Sequence, residues 1–293
     1  MAARRSSSTG LTAFASPAGH DDAAAAPVLP VETAGADMAG ALPVRQRDLV
    51  AALDKGLQVI EAFDQERPRL TISEVADRTG LTRAAARRYL LTLCHLGFAS
   101  QDRNLFALTP KVLRLSQSYM HSARLPRIVQ PELMKLSHAL KEASSAGVLD
   151  GSDVLCVAAT SAGRVISSTL QPGTRVPAWC TANGRVLLAA WPQEAVQAWI
   201  AQQALTARTP QTVTDPAQLA ADIERVREQG HAAVDQEFEP GLRTVSVPLL
   251  NFRGETVAAL NVSVHASRME MDELQEAALP PLRQAQALLR QIL

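Results

Sequence analysis

Between Ile72 and Leu93 the chain reads ISEVADRTGLTRAAARRYLLTL, two short amphipathic stretches meeting at a Thr-Gly pair. Val75 and Ala76 in the first stretch pack against Leu81, Ala86 and Leu90 in the second only if the chain turns sharply at Gly80, a residue that tolerates left-handed backbone. That pattern is a helix-turn-helix. Thr82 is a natural N-cap for the second helix, which places Ala86, Leu90 and Leu93 on one face and leaves Arg83, Arg87 and Arg88 pointing largely elsewhere. The small side chains of Ala84 and Ala85 let such a helix lie close to the floor of a major groove. The arginines then supply donors for phosphates and guanine edges, with Arg78 extending the basic patch.

A solvated arginine face is the other reading of the same residues. Two features weigh for nucleic acid. No acidic residue interrupts the run from Arg78 to Arg88, and a hairpin follows, with extended runs at 98–100 and 105–108 around the polar turn Asp102, Arg103, Asn104. Arg103 at its tip stands where a wing touches the DNA backbone. Upstream, Leu49, Leu53, Leu57, Ile60 and Phe63 recur at helical spacing and predict a first helix ending before Pro68. Residues 70–72 predict a short extended run, and Ser73 is the expected cap of the helix that ends at Gly80. Together these make a winged helix.

The remainder predicts a second, α+β domain: an antiparallel sheet with flanking helices. Helical periods open at Thr109-Pro110 and again at Pro126; strand-like periods follow at 148–149 and 154–158, then at 164–170. Helices are expected at 184–191, 194–200 and 219–228, the last closed by Gly230. A hairpin pairs 244–250 with 256–264 across 251–254, and two helices split at Pro280 and Pro281 end the chain. The resulting organisation is a disordered tail over 1–44, a winged helix over 45–109, a linker helix over 110–125 and a ligand-binding domain over 126–293. The tail is rich in Ala, Ser, Pro, Gly and Asp, too little apolar surface to offset chain entropy. Met38 near its end is a second possible translation start.

Positive and negative residues balance, 29 against 29, so a nucleic-acid surface has to be a local arginine cluster rather than a property of the whole chain. No apolar run is long enough for a membrane helix and no compact signal core follows Arg4 and Arg5, which predicts a cytoplasmic protein with no membrane partner. Cys94, Cys156 and Cys180 are widely spaced, and the histidines show no ligand spacing, so neither a disulfide framework, a metal nor a cofactor is expected. The chain also lacks a Gly-x-Ser-x-Gly elbow, a phosphate-cradling glycine loop and a His-Glu-x-x-His motif, which argues against an enzyme.

TGLTRAAARRYLLTLCHLGF followed by FALTPKVLRL closely resembles the winged helix of the IclR family of regulators. VPAWCTANGRVLLA (176–189) and VDQEFEPGLRTVSVPLLNFRGETVAALNVSVHA (234–266) resemble its two effector-domain signatures, so the likeness runs over residues 48–293. The AAARR run and the FALTPKVL phrase look most like the branch that regulates aromatic-acid and β-ketoadipate catabolism, the PcaR, PcaU and PobR group. One departure is that this branch usually reads CTSMGR where this chain has CTANGR.

The resemblance implies a GAF-like C-terminal domain that holds a small carboxylic-acid effector, and a homodimer, further assembled into a tetramer, on a palindromic double-stranded operator. Carried across position by position, the effector site falls on Ala182, Asn183, Gly184, Asp235, Leu242, Thr244, Asn261 and Ser263. Backbone N–H groups at Asn183 and Gly184, at a helix start, suit a carboxylate. Asn261 and Ser263 are two apart on a strand and share a face, either pocket or solvent. Arg243 is either a carboxylate binder or the anchor of the 235–239 loop, and Trp179 either a pocket wall or core. The competing functions are an enzyme carrying an accessory helix-turn-helix and a DNA-binding protein whose second domain only oligomerises.

Overall fold

The computed structural model describes residues 49–64, 66–160 and 170–293, without the side chains of Met120 and His121. The expected tail over 1–44 and the expected strand over 164–170 lie outside the described residues, except for Leu170, which is in no strand.

Three helices and a small sheet make the N-terminal part: α1 (Ala51–Glu61), β1 (Leu70–Thr71), α2 (Ile72–Thr79), α3 (Arg83–His95), β2 (Ala99–Asp102) and β3 (Leu105–Leu108), with the strands in the antiparallel order β1-β3-β2. Val59, Ala62, Leu70, Val75, Ala86, Leu90 and Phe106 are buried in one cluster. Full burial of each large side chain among them contributes ~1.5–3 kcal/mol. Gly80 takes φ 66° at the end of α2, which provides the left-handed turn the sequence demanded.

Two expectations are corrected here. The cap of α2 is Thr71, not Ser73. Its hydroxyl accepts from the Glu74 amide at 3.3 Å while the Glu74 carboxylate accepts from the Thr71 amide at 2.7 Å, a capping box that starts the helix one residue before Ser73. Likewise the buried side of α1 carries Val59 and Ala62, with Ile60 and Phe63 packed beside them. Leu49, Leu53 and Leu57 are 46–64% exposed, outside the buried cluster of the described residues.

A 3₁₀ turn (Pro110–Val112) leads into α4 (Leu113–Ser122), and α5 (Arg124–Leu140) follows after an extended residue, Ala123. The C-terminal part continues with β4 (Ala143–Asp150), β5 (Asp153–Thr160), β6 (Arg175–Pro177), α6 (Ala182–Leu188), α7 (Gln193–Ile200), α8 (Pro216–Gln229), β7 (Ala232–Asp235), β8 (Leu242–Leu250), β9 (Thr256–His265) and α9 (Met271–Arg290). Among the described residues six strands form an antiparallel sheet ordered β6-β5-β4-β9-β8-β7.

Strand alternation divides the core in two. Val245, Val247, Leu260 and Val262 point to α5 and α9, while Ala259 on the other face joins the cluster built from α6, α7 and α8. Strands β6 and β7 escaped the sequence reading because three or four residues at a sheet edge carry little periodicity, and α6 begins two residues earlier than expected.

The proline pair does not split the last helix. Residues 271–290 form one helix through Pro280 and Pro281, although each proline removes a backbone donor and costs ~3 kcal/mol in a helix interior. Leu274, Ala278, Leu282, Ala285 and Leu289 form an unbroken buried stripe across the prolines, and α9 lies against β8 and β9. Tertiary burial outweighs the local penalty.

Candidate functional site

Arg83, Ala84, Arg87 and Arg88 share the exposed side of α3, opposite the buried Ala86, Leu90 and Leu93. Thr82, also exposed, caps the helix, its hydroxyl accepting from the Ala85 amide at 3.2 Å. Arg83, Arg87, Arg88 and Arg103 make no ion pair with any described residue, and Arg103 takes φ 56° in the two-residue turn that joins β2 to β3. Arg78 differs from them: its guanidinium is held by the Asp64 carboxylate, whose pKa is lowered first by the Arg67 backbone N–H and then by Arg78. Its charge is already partly neutralised within the domain.

The second candidate site is a cavity of about 40 Å³ between α6 and the sheet. That is room beyond the ~10–15 Å³ a single water needs. Of the eight sequence candidates, Ala182, Asn183, Leu242, Thr244, Asn261 and Ser263 line it together, and Gly184 and Asp235 do not. Leu170, Val176, Val234 and Phe238 add apolar wall.

Alternation explains Asp235. Val234 beside it faces the cavity, so Asp235 turns to the opposite side, where its carboxylate accepts from Arg243 Nε at 2.9 Å. Arg243 also reaches Glu270 at 2.8 Å and the Ala266 and Met269 carbonyls, which settles it as a structural anchor rather than a ligand cation. Gly184 has a packing role: a Cβ there would sit 1.9 Å from the Ala178 carbonyl oxygen. Its amide is already bound by the Thr181 hydroxyl at 3.3 Å, so the carboxylate donor expected at Gly184 is taken. Trp179 is 5% exposed and belongs to the core.

The cavity's polar side chains are held from behind. Asn261 Oδ1 accepts from both the amide and the hydroxyl of Ser145, at 2.9 and 2.8 Å, and Asn183 Oδ1 accepts from the Ser246 hydroxyl at 2.7 Å. Neither amide nitrogen, Nδ2, has a hydrogen-bond partner among the described residues, yet both side chains are 96% buried. Thr244 and Ser263, paired across β8 and β9, share one hydrogen bond of 3.1 Å. Ser145 and Ser246 were missed by sequence reasoning. Ser246 was accessible to it, two positions from Thr244 on one strand face; Ser145 was not, since only the β4–β9 register sets it opposite Asn261.

A buried ionic cluster adjoins the cavity. Arg185 binds Glu237 at 2.7 Å and Asp222 at 3.6 Å, and Glu237 also accepts from the Val213 amide at 3.1 Å. Burial raises the Glu237 pKa, against the opposing pull of Arg185. Cys180, on the cavity wall, has its thiol pushed up to about 12, chiefly by burial, and Cys156 to about 11 for the same reason. Neither is a reactive thiolate.

A winged helix with an unpaired arginine face, together with a sheet domain enclosing a small polar-tipped cavity, defines a ligand-sensing DNA-binding regulator. Comparison with known proteins agrees: residues 52–103 match the IclR helix-turn-helix domain and residues 117–289 the bacterial transcriptional regulator IclR C-terminal domain. The chain belongs to the IclR family of transcriptional regulators, and its relatives are regulators rather than enzymes. It is 42% identical to the Pca regulon regulatory protein of Pseudomonas putida over 80% of this chain and 81% of that one. It is 38% identical to the p-hydroxybenzoate hydroxylase transcriptional activator of Acinetobacter baylyi, over 82% and 90% respectively. A crystal structure of a double mutant of the PobR inducer-binding domain from Acinetobacter, in complex with 3-hydroxybenzoic acid, superposes with a TM-score of 0.56 at 32% identity, covering 58% of this chain and all of that one. Among the described residues no helix is long and apolar enough to cross a membrane.

Proposed function

We propose that this protein is a cytoplasmic regulator of aromatic-acid or β-ketoadipate-pathway catabolism, and that an aromatic carboxylic acid in the α6–sheet cavity changes its affinity for a palindromic operator. The observation that carries the effector reading is the pair of asparagines, Asn183 and Asn261, that line the cavity and whose amide nitrogens have no hydrogen-bond partner among the described residues. Unpaired donors at a cavity wall favour a ligand that supplies acceptors, as an acid does. The apolar walls suit a ring, and relatives at 38–42% identity govern pca and p-hydroxybenzoate genes by their names.

The DNA surface consists of Arg83, Ala84, Arg87 and Arg88 on α3, with Thr82 at its start and Arg103 on the wing; Arg78 is a minor member. Two copies place two such helices in successive major grooves of one operator, and a dimer of dimers is the expected assembly. The working division is DNA binding over 45–109, a linker over 110–125 and effector binding over 126–293.

The test is fluorescence anisotropy on DNA from the protein's own upstream region, titrated with protocatechuate, 4-hydroxybenzoate, β-ketoadipate, cis,cis-muconate, pyruvate and glyoxylate. A change in operator affinity with one of the first four supports the pathway. A response only to pyruvate or glyoxylate moves the regulator to another carboxylic-acid pathway. No response to any acid makes the second domain an oligomerisation module.

A further inference from the structure

We infer that the Phe238 ring is the door of the α6–sheet cavity and that Arg208, an exposed residue outside the cavity lining, is the latch that holds it shut. This rests on the reading of that cavity as the effector site. It adds a positioning residue that acts on the site only through another side chain.

Phe238 lies between β7 and β8 and lines the cavity. The segment over 208–213, between α7 and α8, grips that turn. Its side chains take three successive carbonyl oxygens: Gln236 O accepts from the Thr209 hydroxyl at 2.7 Å, Glu237 O from the Thr212 hydroxyl at 2.7 Å, and Phe238 O from Arg208 Nε at 3.2 Å. The Glu237 carboxylate is fixed as well, by the Val213 amide and Arg185. Thr209 is buried and Thr212 half-buried, so their bonds are shielded from water, whereas Arg208 is exposed. The backbone is therefore tied down firmly at 236 and 237 and least firmly at 238.

Phe238 is half-buried and borders the cavity, so a single ring reaches both the cavity and solvent. The Arg208 guanidinium lies 4.7 Å from the centroid of that ring, within cation–π range. Arg208 makes no ion pair with any described residue; its guanidinium has the carbonyl and the ring of Phe238 as its hydrogen-bond and ring partners among them. With the neighbouring backbone tied, the ring opens the cavity by rotating about its own side-chain bonds, and that rotation gives up the guanidinium contact.

Two cysteines read the door directly. Cys180 lines the cavity and is fully buried, with its thiol pushed up to about 12 chiefly by burial, so it reacts when the cavity opens. Cys156, on β5, is buried but does not line the cavity, and it reports general unfolding. The test exposes the full-length protein, with no acid added, to methyl methanethiosulfonate and follows each thiol by peptide mass spectrometry. Arg208→Met keeps the apolar stem and removes the charge; it is expected to raise the Cys180 rate about tenfold, the combined value of the ring contact and the hydrogen bond, with Cys156 unchanged. Arg208→Lys keeps a cation for the ring and is expected to fall between. Phe238→Leu is expected to raise the Cys180 rate by itself, and adding Arg208→Met to it to gain less than about twofold, because the latch has no ring left to hold. A wild-type Cys180 rate in Arg208→Met, a parallel rise at Cys156, or a full gain on top of Phe238→Leu overturns the latch. None of these results touches the aromatic-acid reading, whose failure shows only in the operator titration.

Discussion

Two helical glycines give opposite predictions from the same substitution. In Gly184→Ala the new Cβ lies 1.9 Å from the Ala178 carbonyl oxygen and 2.3 Å from its Cα, both backbone atoms, so α6 or the segment leading into it has to move by more than 1 Å. Forcing one carbon into a packed interior costs ~1–3 kcal/mol and more where backbone must yield, against a helix-propensity gain of ~1 kcal/mol. The net expectation is a loss of about 2 kcal/mol or more. For an effector domain of this size that lowers Tm by about 4–8 °C. Gly56→Ala, in α1, meets only Tyr89 Cδ1 at 3.9 Å and is expected to gain ~0.5–1 kcal/mol. Thermal unfolding followed by circular dichroism reads both. Because Asn183 precedes the moved residue, Gly184→Ala is also expected to weaken effector binding, measured by calorimetry. An unchanged or raised Tm for Gly184→Ala would refute the close-approach reasoning, since helix propensity would then be the only effect at work.

Three further outcomes are expected. Alanine at Arg83, Arg87 or Arg88 is expected to weaken operator binding and reduce the slope of log affinity against log salt by ~1 each. Arg78→Ala is expected to do less, because Asp64 already holds its charge; anisotropy across a salt series distinguishes them. Arg185→Met leaves Glu237 and Asp222 buried without their cation, a change that costs ~3–5 kcal/mol. The Glu237 pKa is already raised, so the folded state binds its proton more tightly than the unfolded chain does. Stability from this group therefore falls as pH climbs from the ordinary carboxylate range through the raised value. Without Arg185 that dependence is expected to steepen, which denaturant titrations at pH 5 and 7.5 would show. Glu74 has the opposite sign: its pKa is lowered, first by the Thr71 backbone N–H, so its contribution is present above the ordinary carboxylate value and is lost as pH falls through the lowered one. Protection of the α2 amides, with exchange rates corrected for their intrinsic pH dependence, is expected to fall on acidification in the wild type and to change less in Glu74→Ala.

The sequence by itself determined the winged helix, the regulator class and the arginine face. Those depend on local periodicity, a glycine at a turn and charge on one side of a helix, all written within about sixty consecutive residues, 49–108. The resemblance to the IclR effector domain carried most of the cavity's polar side chains to their positions, and two-residue alternation supported it for Asn261 and Ser263, which share one face of β9. Tertiary structure decided the rest. Asp235 left the site because Val234 faces inward, and Gly184 proved to be a point of contact between α6 and the Ala178 backbone. Arg78 and Arg243 turned out to be committed to Asp64, Asp235 and Glu270. The proline pair stayed helical because a buried stripe outweighed two lost hydrogen bonds. Each of these depends on a partner distant in sequence, or on which face a neighbour turns inward, and local pattern carries no record of either.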